Sequence, residues 1–152
     1  MTLVSAKPRR LVDEIVAQVE TMVGRPGATI GVVVNRVKTA RELHRRLQEK
    51  SRVAHLVTGR MRPFDRDVLD RTLLPRIRAG RIRSTADEPV VVVATQTIEA
   101  GADFDFDGMV IECASLDAIR QRFGRLDRLG DLDGKGRGVV VAPNDVLKDD
   151  PV

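Results

Sequence analysis

The sequence predicts a three-layer α/β domain with a mostly parallel central sheet. Two observations lead to this prediction: apolar runs without polar alternation recur along the chain, and segments with helical periodicity separate them. The clearest run, residues 90–95, contains four consecutive valines, as expected of a strand that is covered on both faces. Strands and helices that alternate in this way form parallel sheets flanked by helices.

Five predicted strands alternate with four predicted helices along the chain. The strands are residues 29–34, 52–57, 90–95, 108–113 and 139–142. The helices are residues 8–23, a helix that begins at Thr39, residues 65–79, and a short helix that begins at Ser115. Gly24 and Pro26 end the first helix, and the capping-box pattern of Thr39 with Glu42 begins the second. Pro75 predicts a kink or a break in the third helix.

The composition fits one globular domain over residues 1–152, with residues 143–152 as a tail. Hydrophobic residues are 42% of the chain and charged residues 32%, a balance that favours a packed core over disorder. Cys113 is the only cysteine, which excludes an internal disulfide and favours a reducing, cytoplasmic setting. No apolar run approaches the roughly 18 residues of a membrane span, so no membrane contact is expected.

The charge favours a polyanionic partner. The net charge is +4 and the isoelectric point is near 9.8, values that suit binding to phosphate-rich polymers. The chain has four Phe and neither Trp nor Tyr, so bases have few aromatic side chains on which to stack. Nucleic-acid binding is therefore expected to use the phosphate backbone.

Hydrolysis of a nucleotide by the chain alone is not supported by the sequence. Gly134-Lys135 is the only Gly-Lys pair, and Gly136 follows it where a P-loop requires Ser or Thr. His44 and His55 have neither Cys nor His at metal-ligand spacing and no evident Ser or Cys partner. We therefore expect the isolated chain to lack ATPase activity.

Residues 103–108 have the D-x-D-x-D-G opening of an EF-hand calcium loop. The twelfth position is Ala114, where a bidentate Glu is required, so calcium binding is not expected. The alternation instead predicts that Phe104 and Phe106 point inward while the aspartates between them face water.

Residues 121–128 contain three arginines beside a glycine, directly after the short helical pattern that Ser115 begins. On a helix Arg125 and Arg128 form an i, i+3 pair, so their guanidinium groups share one face. Two planar forks side by side suit an anion with several oxygens, and phosphate is the usual one. The alternative is a solvated helix end, where both arginines interact favourably with the helix dipole.

Polar residues follow the predicted strands at three places: Thr58-Gly59, Thr95-Gln96 and residues 113–115. The carboxyl ends of parallel strands meet at one edge of a sheet, and ligands gather there in α/β domains. These residues are therefore candidates for a binding site.

The segments described above resemble conserved motifs of superfamily 2 helicases. Residues 93–103 followed by residues 121–128 resemble the motif V and motif VI pair at the expected separation. Residues 32–37 resemble motif IV, and residues 56–60 resemble the segment after it. The resemblance covers nearly the whole chain and implies the second, C-terminal RecA-like domain of a helicase.

The resemblance implies a nucleotide site shared with another domain. Arg125 and Arg128 match the two motif VI arginines that reach across a cleft to the γ-phosphate, and they are the implied catalytic residues. Arg122 matches the motif more loosely, so its loss is expected to matter less. The implied cofactor-binding residues are Gln121 and Gly124 of motif VI, with Gly101 and Asp103 of distal motif V near the ribose.

The same resemblance implies contacts with a nucleic-acid backbone. These contacts are Thr95, Gln96 and Thr97 of motif V, Thr58 and Gly59 of the segment after motif IV, and Arg36 of motif IV. Because such contacts are with phosphates, they imply weak sequence preference.

Two departures separate the chain from DEAD-box RNA helicases: Gln121 stands where they have His, and Asp127 stands where they have their second glycine. Residues 62–67, 94–105 and 121–128 look most like the CRISPR-associated helicase-nuclease of type I interference systems.

That resemblance implies an ATP-dependent motor acting on single-stranded DNA, with ATP and Mg²⁺ bound only in the complete motor. The first RecA-like domain would supply the P-loop and the magnesium ligands. Other implied partners are an HD nuclease domain on the same or a separate chain, single-stranded nucleic acid, and a CRISPR surveillance complex. Two alternatives stay open: a non-catalytic binding module of the same fold, and a superfamily 2 translocase acting on RNA or duplex DNA.

Overall fold

A computed structural model describes residues 1–59, 67, 71–96 and 103–144, and these residues contain one six-stranded sheet. The strands are β1 Thr2–Ala6, β2 Thr29–Val33, β3 Val53–Val57, β4 Val90–Ala94, β5 Gly108–Glu112 and β6 Arg137–Pro143. Their order is β1-β6-β5-β2-β4-β3, and every neighbouring pair is parallel. The prediction of a mostly parallel sheet is confirmed.

Helices cover both faces of the sheet. A 3₁₀ turn, Pro8–Arg10, leads into α1 Leu11–Met22, which is followed along the described chain by α2 Val37–Glu49, α3 Leu74–Ile77 and α4 Leu116–Phe123. Buried residues of α1 and α2 pack on one face, and residues of α3 and α4 pack on the other. None of the helices in the described ranges is long and apolar enough to cross a membrane.

The valine run of β4 explains why its sequence does not alternate. Val91 and Val93 belong to the core under α1 and α2, whereas Val90, Val92 and Ala94 belong to the core on the opposite face. All five residues are buried, because neighbouring strands and both helical layers surround them.

Strand β1 was not predicted from the sequence. It lies at the edge of the sheet beside β6, where Thr2 is opposite Val139 and Ala6 is opposite Pro143. Its side chains are mostly exposed, Leu3 to 60%, so its residues lack the apolar pattern of a buried strand. An edge strand with exposed side chains is identified by its pairing with a neighbouring strand, which a local sequence pattern does not show.

Several predicted boundaries are shifted, including the start of α2 and the start of the tail. Helix α2 begins at Val37 rather than at Thr39, and its N-cap residue Arg36 makes no side-chain capping bond. The predicted tail begins too early, because Pro143 is the last residue of β6 and the amide of Asn144 donates to the carbonyl of Ala6. Residues 145–152 lie outside the described ranges.

The predicted break near Pro75 is confirmed, because residues 71 and 72 are helical, Leu73 is a turn residue and α3 begins at Leu74. Pro75 lies in the first turn of α3, where its missing N–H removes no intrahelical hydrogen bond. Residues 65, 66 and 68–70 of the predicted helix lie outside the described ranges.

Helix α4 sits against β6 because Gly138 has no side chain. A Cβ at Gly138 would lie 2.6 Å from Cε1 of Phe123, the last residue of α4. This close approach places the C-terminal end of α4 directly against β6. The residues after Phe123 continue from that position.

Candidate functional site

The predicted nucleic-acid contacts lie along one edge of the sheet. Strands β5, β2, β4 and β3 are neighbours in that order, and we call the edge formed by their carboxyl ends the carboxyl edge. The predicted residues at this edge are Arg36 after β2, Thr95 and Gln96 after β4, and Thr58 and Gly59 after β3. Thr95 is 8% exposed, whereas Gln96 and Arg36 are open to solvent. Thr97 lies outside the described residues.

A groove of about 540 Å³ opens beside this edge. Its lining includes the exposed cations Arg9, Arg36 and Lys38 and the N-terminal turn of α2, together with the carboxylates of Asp13, Glu42 and Glu112. No acidic residue lies in that first turn, so the positive end of the helix dipole adds to the charge of these cations. Arg9 and Lys38 were not singled out from the sequence, where they looked like ordinary surface cations.

Arg122 is a buried link at the carboxyl edge, only 1% exposed. Its guanidinium donates to the carbonyl of Glu112 at 3.0 Å and to Oδ1 of Asn35 at 3.0 Å. The Glu112 carboxylate accepts from the amide of Asn35 at 2.8 Å, and Nδ2 of Asn35 donates to the carbonyl of Cys113. These bonds join the ends of β2 and β5 to α4, a role that the sequence did not indicate.

Arg125 and Arg128 do not form the predicted i, i+3 pair on a helix. Helix α4 ends at Phe123, and the C-cap residue Gly124 keeps a right-handed φ of −62°. The chain then turns, and Asp127 adopts a left-handed φ of 44°. Both arginines therefore lie on a loop, residues 125–128, which we call the arginine loop.

The left-handed conformation explains why Asp127 can occupy the place where DEAD-box RNA helicases have their second glycine. Aspartate is among the few non-glycine residues that adopt this region readily. Its carboxylate Oδ1 also accepts a hydrogen bond from the amide of Leu132 at 3.0 Å, which ties the arginine loop to the next turn.

The arginine loop is held by residues 103–107, which we call the aspartate segment. The amide of Phe106 donates to the carbonyl of Arg125 at 2.8 Å, and the amide of Asp127 donates to the carbonyl of Phe106 at 2.9 Å. The guanidinium of Arg128 lies 2.7 Å from the carboxylate of Asp103.

The structure thus joins three of the predicted nucleotide-site residues, Arg125, Arg128 and Asp103, through the aspartate segment. Gln121 is exposed on α4, and Gly124 is exposed at the end of that helix. Gly101 lies outside the described residues.

The prediction that the aspartates face water is wrong for two of the three. Asp103 is exposed, but Asp105 is fully buried and Asp107 is 7% exposed. Phe106 is buried as predicted, and Phe104 is partly buried. Burial of two carboxylates requires nearby cations, since an unpaired buried charge is very costly.

Arg81 and Arg83 supply these cations from the loop before β4. Arg81 contacts the carboxylates of Asp105 and Asp107, each at 3.1 Å. Arg83 contacts the same two carboxylates, each at 2.8 Å, and reaches Asp131 at 2.9 Å. We call Arg81, Arg83, Asp105 and Asp107 the ionic network. The sequence signal for this network is a shared spacing. One residue separates Arg81 from Arg83, and one residue separates Asp105 from Asp107.

The ionic network is attached to the first residue of β2. Oδ2 of Asp107 accepts from the amide of Thr29 at 2.8 Å and from its hydroxyl at 3.0 Å. The Thr29 hydroxyl oxygen also accepts from Arg81 at 2.7 Å. The network therefore lies at the amino ends of β2 and β5, opposite the carboxyl edge.

Two groups of the network have shifted pKa values. Burial raises the pKa of Asp107, but hydrogen bonds from Arg83 and Thr29 and the charge of Arg81 outweigh it, so the net pKa is lowered. Burial lowers the pKa of Arg83, but hydrogen bonds to Asp107 and Asp131 outweigh that effect and raise it. The charged forms of both side chains are therefore favoured in the folded state.

We expect the ionic network to stabilise the fold at neutral pH and to lose this contribution as the pH falls into the acid range. Because the folded-state pKa of Asp107 lies below its unfolded value, its contribution is complete above the unfolded pKa and is lost as pH falls through the folded pKa. Wild type should therefore lose more unfolding free energy than Asp107→Asn between roughly pH 5 and pH 2, measured by urea denaturation at each pH. Asp133→Asn, at an exposed site, is the control and should follow wild type. Parallel curves for wild type and Asp107→Asn would contradict this prediction.

Solved helicase structures share this architecture. The chain superposes on the crystal structure of T. fusca Cas3 with a TM-score of 0.75 and 23% identity, covering 94% of this chain and 18% of that chain. It superposes on the C-terminal domain of the DEAD-box protein Dbp5 with a TM-score of 0.66 and 18% identity, covering 95% and 76%. A chain of the "CRISPR RNA-guided surveillance complex, pre-nicking" matches with a TM-score of 0.70 and 20% identity, covering 95% and 19%. The fold is that of a helicase C-terminal RecA-like domain.

Sequence comparison gives the family. Residues 26–131 match the family model described as CRISPR-associated nuclease/helicase Cas3, C-terminal. The Cas3 protein of Methanothermobacter thermautotrophicus is 36% identical over 102 residues, which are 67% of this chain and 11% of that protein. The Cas3 protein of Haloferax volcanii is 36% identical over 89 residues, which are 59% of this chain and 9% of that protein. The chain belongs to the Cas3 C-terminal family, and it spans about a tenth of the length of these relatives.

Proposed function

We propose that this chain works as the C-terminal half of an ATP-dependent helicase that moves along single-stranded DNA in CRISPR interference. The observation that carries the proposal is the arrangement of the two candidate sites. The arginine loop lies against Asp103 and the aspartate segment, whereas the polar residues after β2, β3 and β4 share the carboxyl edge. Motif V contributes to both sites, because it contains both Thr95 and Asp103.

The proposed nucleotide is ATP with Mg²⁺, bound between this domain and a first RecA-like domain. The exposed carboxylate of Asp103 suits the hydroxyl groups of a ribose, and the partly exposed guanidinium of Arg128 suits phosphate oxygens. When bound, ATP would supply the phosphoryl group and Mg²⁺ would neutralise its charge, with magnesium ligands from the first domain. Arg125 and Arg128 would stabilise negative charge on the phosphoryl oxygens without transferring a proton.

The nucleic-acid side of the proposal uses the carboxyl edge. Thr58, Thr95 and Gln96 provide polar side chains at the ends of β3 and β4, and Arg36 and Lys38 follow the neighbouring strand β2. Hydroxyl, amide and cationic groups of this kind bind phosphates and sugars rather than base edges. Strand binding should therefore depend on salt and vary little with sequence.

The experiment that tests strand binding compares wild type with a Thr95→Ala/Gln96→Ala double variant. We expect the double variant to weaken binding to a single-stranded DNA oligonucleotide by roughly tenfold or more, because hydrogen bonds to charged groups contribute about 1.5–3 kcal/mol each. Wild-type affinity should also fall steeply as the salt concentration rises. Protein binding releases counterions from the DNA, and added salt opposes that release. Fluorescence anisotropy at several salt concentrations measures both effects.

A matched control and a competitor complete that experiment. Thr21→Ala removes a hydroxyl at the other end of the domain, where it bonds within α1, and should leave binding unchanged. Melting temperatures of all variants should stay close to wild type, because these positions lie outside the valine core. Affinity that is unchanged by salt and by the double variant would refute the proposed strand contact. Preferential binding of RNA would favour an RNA translocase instead.

A further inference from the structure

We propose that Asp105 is a positioning residue that holds the arginine loop in a single conformation. The inference rests on the proposed function in one respect, since it treats Arg125 and Arg128 as the groups that contact phosphate. Nothing in the motif resemblance assigns a role to Asp105, which lies two residues beyond the motif V end at Asp103.

Each carboxylate oxygen of Asp105 makes a different connection. Oδ1 accepts a hydrogen bond from the backbone amide of Arg128 at 2.8 Å. Oδ2 accepts from Arg81 at 3.1 Å and from Arg83 at 2.8 Å. The side chain is completely buried, so neither set of bonds competes with water. One carboxylate therefore ties the backbone of the arginine loop to two fixed cations.

The cations are themselves fixed in several directions. The Arg81 side chain is 5% exposed and donates to the backbone carbonyl of Asp105 at 2.7 Å as well as to the hydroxyl of Thr29. Arg83 extends to Asp131, beyond the arginine loop along the chain. A buried charged network has few alternative arrangements, because any lost partner leaves an uncompensated charge. The amide of Arg128 is thus held relative to the start of β2.

Asp107 provides a matched comparison within the same network. It has the same charge as Asp105, is nearly as buried, and pairs with the same two arginines. In the described part of the chain its side chain bonds to Arg81, Arg83 and Thr29, not to the arginine loop. Neutralising Asp107 therefore disturbs the network without removing the tie to Arg128.

Asparagine separates the two connections of Asp105, because an amide has one acceptor oxygen instead of two. Hydrogen bonds from charged donors are about twice as strong as those from neutral donors, so the oxygen should turn to Arg81 and Arg83. In Asp105→Asn the side-chain NH₂ group then faces the amide of Arg128, and that hydrogen bond is lost.

The first test measures amide hydrogen exchange by NMR in the chain itself. In Asp105→Asn the Arg128 amide should exchange about tenfold faster relative to the buried strand amide of Val110, whereas in Asp107→Asn the ratio should stay within about twofold of wild type. Reference to Val110 removes the effect of any general loss of stability. Equal ratios in the two variants would overturn the proposal. If Asp105→Asn does not fold, wild type decides, since an unprotected Arg128 amide would overturn the proposal and a protected one would support it.

The second test measures ATP turnover in a motor assembled from this chain and a first RecA-like domain of a Cas3 relative. A small displacement of a reacting group costs on the order of 10²-fold, so kcat of Asp105→Asn should fall by about that factor while KM changes less. Asp107→Asn, measured below its melting range, should retain most of the wild-type kcat. Equal kcat values in the two variants would contradict positioning by Asp105.

The two proposals fail in distinguishable ways. Normal turnover of Arg125→Ala and Arg128→Ala would refute the proposed function of the loop, and the exchange test of Asp105 would still decide its structural tie. Inactive arginine variants combined with a normal exchange ratio and normal turnover in Asp105→Asn would refute the positioning role alone.

Discussion

Arg125→Ala and Arg128→Ala are each expected to remove most ATP turnover from a motor that contains this chain and a first RecA-like domain. Arginine fingers in other phosphoryl-transfer enzymes contribute about 10³- to 10⁵-fold to the rate, and a loss of that order is expected here. The physical reason is that a guanidinium placed across a closed cleft stabilises phosphoryl charge in a site from which water is excluded. Steady-state turnover at saturating ATP measures the loss.

The controls use lysine and a neighbouring arginine. Lysine at position 125 or 128 should restore little activity, because a compact ammonium cannot reproduce the planar fork that binds two oxygens. Arg120→Ala removes an exposed arginine from α4 and should leave turnover close to wild type. Single-strand binding and melting temperature should survive all of these changes. ATP turnover at the wild-type rate in both alanine variants would show that neither guanidinium stabilises phosphoryl charge, and it would refute the proposed function.

Much of the fold could be predicted because its strands are buried on both faces. Continuous apolar runs identify β2, β4 and β5, since each lies inside the sheet under helices on both sides. Strand β1 could not be predicted in this way, because an edge strand with exposed side chains has no such run. The start of α2 was misplaced for a related reason. The capping pattern at Thr39 is local, whereas the position of Asn35 is set by Glu112 on another strand.

The sequence supplies candidate residues for the site but not their geometry. The motif resemblance pointed to Arg125, Arg128 and Asp103, and the structure connects these residues through the aspartate segment. Helical spacing gave the wrong conformation for the arginines, because Asp127 turns the chain and the Phe106 amide and carbonyl form hydrogen bonds with Arg125 and Asp127 in place of those of a helix. These contacts join positions about 20 residues apart, so no local pattern encodes them.

The C-terminal end of helix α4 is attached to both candidate sites. Arg122 joins it to the carboxyl edge, and the residues after Phe123 join its end to the aspartate segment. Both attachments lie at the C-terminal end of the helix, because Arg122 is its penultimate residue and Phe123 its last. Its burial and its hydrogen bonds to Glu112 and Asn35 make Arg122 more important to the fold than the sequence indicated.

Arg122→Ala is expected to destabilise the domain by about 3 kcal/mol or more, because the change leaves two acceptors without donors and opens a cavity. The acceptors are the carbonyl of Glu112 and Oδ1 of Asn35, and Arg122 itself is 1% exposed. For a domain of this size each kcal/mol lowers the melting temperature by roughly 2–4 °C, so a fall on the order of 10 °C should be seen by calorimetry. Arg120→Ala is the matched control on the same helix, and an exposed site of this kind should change stability by no more than about 0.5 kcal/mol. Arg122→Lys should be intermediate, since an ammonium can satisfy one acceptor but cannot span both. Equal melting temperatures for Arg122→Ala and Arg120→Ala would show that the buried guanidinium does not hold α4 to the carboxyl edge.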